Sequence, residues 1–191
     1  MGRPPRHDAD RLLDAAVALA ADGGPGAVTA AAVAREAGAP SGSVYHRFPG
    51  RSALLAALWL RTVERFQDGF LAALETVPAI EAAPAAARHV VAWSRAHPAE
   101  CGILLYGAAD FDERHWPAAA RERLKLANGR VAAALRTLAG RLGRDDAERI
   151  VIATVDLPYA VVRRHLASGH GIPASAESTV ADCAAALLDA S

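Results

Sequence analysis

The sequence predicts an all-α protein, and three observations carry the prediction. Alanine, the residue with the highest helix propensity, makes up about a quarter of the 191 residues. Apolar residues recur at helical spacing through most of the chain, with no strand-like alternation. Glycine and proline punctuate the pattern between the periodic segments. Hydrophobic residues at 52% and charged residues at 22% describe a core-forming chain, and its length allows one domain or a small one fused to a medium one. Basic and acidic residues balance at 21 each, which excludes a generally basic coat, so any nucleic-acid contact must come from a local patch. Cys101 and Cys183 are too few and too far apart for a disulfide framework and suit a reducing cytoplasm. No apolar run follows the N-terminal charges and none reaches about 18 residues, so neither a signal peptide nor a membrane span is expected.

Residues 1–7 read as a flexible basic arm containing Arg3, Arg6 and His7 around Pro4-Pro5. A first helix is expected over about 8–22, where Leu12, Leu13, Ala16, Val17, Leu19 and Ala20 repeat at helical spacing. Gly23-Gly24-Pro25-Gly26 stops it. Thr29 is a good N-cap for a short helix over 30–37, and Gly38 is expected to end that helix in the left-handed conformation. Another short helix follows at about 41–47, and Pro49-Gly50 breaks the chain again. A long helix is expected from Ser52 to about residue 76. Further helices are expected over 80–97, 98–109, 117–141, 145–168 and 175–189, with a kink at Pro158.

Two short helices joined by three or four residues including Gly have the layout of a helix-turn-helix. A recognition helix must be slim and polar at its leading end to enter the major groove. Ser41, Gly42 and Ser43 supply that end, with Tyr45 and His46 one turn later. Val44 and Phe48, four residues apart, are expected to face inward with Val33, Ala34 and Leu54. Arg51 opens the next helix, where a cation opposes the helix dipole and is better used on a phosphate.

The pattern Thr29, Val33-Ala34, Ala37-Gly38, Gly42-Ser43-Val44-Tyr45-His46, Phe48, Arg51, Leu54 resembles the DNA-binding domain of the TetR family of transcriptional regulators. The resemblance covers about 50 residues; the remainder matches only in being helical and of suitable length. It implies a three-helix DNA-binding domain over 1–50, with a larger helical domain for ligand binding and dimerisation over 51–191. It implies that Thr29 and Tyr45 meet phosphate and that His46 lies near phosphate or base. Ser41, Gly42 and Ser43 would face base edges or backbone. Arg3, Arg6 and Arg47 are further candidate DNA contacts, and Arg51 stands where the family usually has Lys. Pro40 and Ser52 depart from the family pattern and blur the docking. The implied function is a ligand-responsive regulator of repressor type, homodimeric and cytoplasmic. It would bind a palindromic double-stranded operator and be released by a small effector without crossing a membrane.

Candidates for an effector pocket are the aromatic and neighbouring residues of the larger domain: Phe66 and Phe70; Trp93 and His97; Leu104, Tyr106, Phe111 and Trp116; and Tyr159, Val162 and His165. Few charges fall among them, which points to an apolar or weakly polar ligand. Each also reads as ordinary core. The last two helices carry apolar stripes that suit a dimer interface, at Ile150, Val151, Thr154, Leu157 and Val161, then Val180, Ala184, Leu187 and Leu188. The competing reading of those stripes is intramolecular core. A metal or catalytic centre is not expected. His97 and Cys101 are four apart but flank Pro98, no second ligand pair follows at suitable spacing, and the glycines form no phosphate-binding fingerprint. No cofactor is expected. A helical bundle that only binds or transforms small molecules is the competing functional class. It draws weak support from the six Arg and five acids that nearly cancel over residues 1–55.

Overall fold

The computed structural model describes residues 5–143 and 147–189, with side chains from residue 9 onward. Among them the regular structure is helical: α1 Pro5–Ala27, α2 Ala30–Ala37, α3 Ser41–Arg47, α4 Arg51–Leu74, α5 Ala82–Ala96, α6 Pro98–Leu104, α7 Ala118–Arg141, α8 Ala147–Val151, α9 Leu157–Ala167 and α10 Ser175–Asp189. No described helix is long and apolar enough to cross a membrane.

Most expected elements are present within a few residues, and the departures have physical causes. The helical ladder of α1 extends to Ala27, but Gly24 interrupts it at φ 68° and ψ −174°. The break therefore falls inside the Gly-Gly-Pro-Gly run, at a conformation that costs glycine little. The helix expected over 98–109 stops at Leu104 and gives way to 3-10 turns over Ala108–Phe111 and Glu113–His115. Between them, Asp112 takes a left-handed conformation at φ 64°. The kink expected at Pro158 takes the form of a π-helical turn over Ile152–Asp156, immediately before it. Leu157 N–H donates to Ile152 O there. Pro158 has no N–H with which to continue the regular ladder, so the wide turn absorbs the mismatch.

The described residues form two compact units, one comprising those up to Val63 with Ala99–Lys125, the other Glu64–Pro98 with those from Leu126 onward. Packing thus departs from a single division after residue 50. Leu54, Leu55 and Leu58 of α4, together with Ile103, Phe111, Trp116 and Leu124, share one core with Leu12, Ala16, Val28, Val33 and Val44. In the second unit α10 packs principally on α5, which also meets α9 and the π turn. Arg141 of α7 donates to Leu74 O at 2.7 Å and Thr76 O at 2.5 Å, satisfying carbonyls at the end of α4. Arg95 of α5 pairs with Glu177 of α10 and donates to Ile172 O at 3.0 Å.

Candidate nucleic-acid interface

The α2–α3 pair is built as its sequence predicts. Thr29 caps α2, its Oγ1 accepting from Ala32 N–H at 3.1 Å. Gly38 ends α2 at φ 59° and ψ 38°, a left-handed conformation that favours glycine. Its N–H reaches Arg35 O at 3.1 Å, and Ala39 N–H reaches Ala34 O at 2.9 Å. Val33, Ala34 and Ala37 of α2 are buried, as are Val44 of α3 and Phe48 just beyond it. One face of the short α3 is thereby anchored, and its opposite edge is left to solvent.

That edge carries Ser41, Gly42, Tyr45, His46 and Arg47, all exposed, with Tyr45 at 58%. An exposed tyrosine ring on a well-anchored helix has given up apolar burial, and its hydroxyl is available to a hydrogen-bonding partner. His46 and Arg47 sit in the last turn of a helix that has no acid in its first turn. Ser43 differs from its neighbours: it is half-buried, and its hydroxyl donates back to Pro40 O at 2.6 Å. The side chain expected at the groove is therefore engaged in stabilising the turn.

Arg51 also departs from expectation. Its Nε donates to Val28 O at 3.0 Å and its Nη2 to Pro25 O at 2.6 Å. The guanidinium expected on a phosphate thus also engages carbonyls of the α1–α2 junction. Ser52, the other unusual residue at this turn, donates to Asp112 Oδ2 at 3.4 Å. His115 Nδ1 lies 2.5 Å from Asp112 Oδ1, and this pairing holds the Asp112 carboxyl below the usual carboxylate range. Arg3 and the side chain of Arg6 lie outside the described residues.

The effector candidates divide between the two units. In the first, Phe111 and Trp116 are sealed in the core, against the expectation of a pocket lining. Trp116 Nε1 donates to Phe111 O at 2.7 Å, and Trp59 packs on Phe111 at a centroid distance of 5.1 Å. These rings fill space rather than line it. Leu104 is half-buried, while the exposed Tyr106 lines an open groove of about 320 Å³ with Ala20, Ala21, Gly102 and Leu105.

In the second unit, Phe66, Phe70, Trp93 and His97 come together. Phe66 stacks on Phe70 at 5.9 Å and meets Trp93 edge-on at 5.3 Å; Trp93 contacts His97 at 5.1 Å. Sequence reasoning missed His89, whose ring lies 5.5 Å from Phe66 and whose Nε2 is 3.1 Å from Phe66 O. Its spacing was the available signal, since His89 and Trp93 stand four residues apart on one face of α5, with His97 four further on at its C-cap. Burial pushes the His89 pKa down, and its backbone contact opposes that only in part. Gly69 makes the approach possible: a Cβ there would lie 2.3 Å from His89 Cε1. Gln67 was also missed. It is buried, donates to Asn128 Oδ1 at 3.0 Å, and leaves its Oε1 without a hydrogen-bond partner. On α9, Tyr159 is exposed, His165 half-buried and Val162 buried.

Five of the expected dimer residues are instead internal. Ile150, Thr154, Val180, Ala184 and Leu188 are at most 1% exposed within a single chain. Their stripes face α5 and one another, the intramolecular alternative for such a pattern. Val151, Leu157, Val161 and Leu187 are half-buried, and Ile152 and Tyr159 are exposed beside them.

Residues 12–58 match the model of bacterial regulatory proteins, tetR family. No curated protein is similar enough in sequence to match. Solved structures share the fold at low identity. A transcriptional regulator from Rhodococcus sp. Rha1 aligns at TM-score 0.73 and 18% identity, covering 94% of this chain and 95% of that one. A TetR-family regulator from Shewanella sp. PV-4 aligns at 0.71 and 20%, covering 97% and 96%. The regulator FadR from Bacillus subtilis, solved in complex with stearoyl-CoA, aligns at 0.71 and 14%, covering 95% and 97%. Residues 12–58 thus match the tetR family model, and these three solved proteins share the fold along 94% or more of this chain's length.

Proposed function

We propose that the chain is a ligand-responsive transcriptional repressor of the cytoplasm that binds a roughly palindromic operator as a homodimer. The observation that carries this reading is the anchored, exposed edge of α3. Val44 and Phe48 hold the helix from beneath, while Ser41, Gly42, Tyr45, His46 and Arg47 face solvent. Tyr45, Arg47 and the capping Thr29 would meet phosphates, and the Ser41-Gly42 tip would approach base edges or backbone. A tip this small reads mostly through backbone and shape.

Dimerisation is supported by the apolar side chains that a single chain leaves uncovered, Ile152 and Tyr159, beside half-buried Val161 and Leu187. A twofold dimer reads half-sites about 34–36 Å apart, one turn of DNA. An apolar effector is supported by the half-exposed ring cluster around Phe66 and Trp93, and by the acyl ligand that the FadR structure holds. Effector release requires a difference in affinity between the DNA-bound and free forms, and the response is no larger than that difference.

Footprinting on duplexes that the protein selects from a random-sequence library tests the reading. Two protected half-sites about one helical turn apart, with two protomers per duplex, are expected. A single protected site bound by one protomer would rule out the dimeric operator.

A further inference from the structure

We infer that Arg51 is a positioning residue, one that sets the helix-turn-helix for DNA by clamping the α1–α2 junction; the inference rests on the DNA-binding reading above. The two carbonyls it holds, Pro25 O and Val28 O, bracket the segment between the break at Gly24 and the N-cap of α2 at Thr29. Val28 is fully buried, and its own N–H also reaches Pro25 O, at 3.3 Å. Arg51 is itself the first residue of α4. One guanidinium therefore ties the start of α4 to the point from which α2 departs, and α2 packs on α3. A shift at the junction is carried to Ser41-Gly42 and Tyr45 through buried Val33, Val44 and Phe48.

The chemistry favours arginine here. Two donors of one rigid plane reach two acceptors three residues apart, while a lysine ammonium is a point charge on a flexible stem. The carbonyls near the end of α1 carry partial negative charge, which offsets the poor placement of a cation at the start of α4. The two bonds use Nε and one hydrogen of Nη2, and they fix the plane and direction in which the remaining donors are presented. Ser52, donating to Asp112, holds the same turn of α4 to a second segment.

The test compares Arg51→Ala and Arg51→Lys with the unmodified protein in two measurements. Amide hydrogen exchange on the free protein is expected to accelerate about tenfold over residues 26–28 in both variants, the effect of losing charge-assisted hydrogen bonds. Unchanged exchange overturns the clamp. Affinity for a duplex selected by the unmodified protein from a random-sequence library is expected to fall about tenfold in both variants. The slope of log affinity against log salt should stay the same. A slope reduced by about one in Arg51→Ala and restored in Arg51→Lys would identify a phosphate contact and overturn the inference. If the unmodified protein selects no duplex, the DNA-binding reading fails, and with it the operator role of Arg51. The exchange result still decides whether Arg51 holds the junction.

Discussion

In the first unit Phe111 and Trp116 are sealed, with the Trp116 indole N–H bonded to a backbone carbonyl and Trp59 packed on Phe111. In the second, Phe66, Trp93, His89 and His97 touch one another yet each stays half-exposed. Both units hold aromatic side chains, but the first uses them as filling and the second leaves their faces within reach of solvent. Close-packed rings hold one arrangement, which suits a unit that must present α3 in a fixed orientation. A partly exposed ring cluster suits a surface that changes its contacts when something binds.

Replacing the rings puts this contrast at risk most directly. Trp116→Ala is expected to cost about 3–5 kcal/mol in urea unfolding, the usual loss for a sealed tryptophan. Trp93→Ala is expected to cost less than half as much, because its ring is already partly hydrated. Equal losses would erase the distinction. Gly69→Ala sharpens it from the other side. The added methyl would meet His89 at 2.3 Å, so about 1–3 kcal/mol of destabilisation is expected from overpacking, with a shift in Trp93 fluorescence. A neutral result would mean that the His89 ring moves freely.

Tyr45→Phe removes one exposed hydroxyl. It is expected to weaken DNA binding by about 1 kcal/mol with no shift in the unfolding midpoint; a lowered midpoint would make Tyr45 a packing residue. The smallest effect is the pH response. The folded state holds the pKa of His89 below its ordinary 6.5, so His89 contributes full stability above that value. The contribution is lost as pH falls through 6.5 toward the lowered folded pKa. Asp112, held below its ordinary 3.8 by His115, contributes above that value and loses its contribution only in stronger acid. Melting temperatures measured against pH should therefore show an upper step that His89→Gln abolishes and Asp112→Asn leaves in place.

The helix-turn-helix was legible because local signals and tertiary packing agree there. Thr29 caps, Gly38 turns left-handed, and Val44 and Phe48 point inward as their spacing requires. Arg51 was legible as a cation but not in its role, since its partners lie 23 and 26 residues away and backbone carbonyls leave no mark in a sequence. The stripes on α8, α9 and α10 marked apolar faces without saying what covers them, and for Ile150, Val180 and Leu188 the covering proved internal. Phe111 and Trp116 failed as pocket candidates for a related reason. Aromatic identity does not distinguish a ring that lines space from one that fills it. Their place in the first unit depends on α6 and the turns after it sharing a core with α4, a long-range pairing that no local pattern announces.

The most direct test is a titration of the purified chain against DNA from its own upstream region, at low and moderate salt and with excess random duplex. Saturable binding that survives the competitor and weakens steeply with salt is the predicted result. Binding abolished by random duplex, or insensitive to salt, would contradict the assignment of the exposed α3 edge to specific DNA recognition.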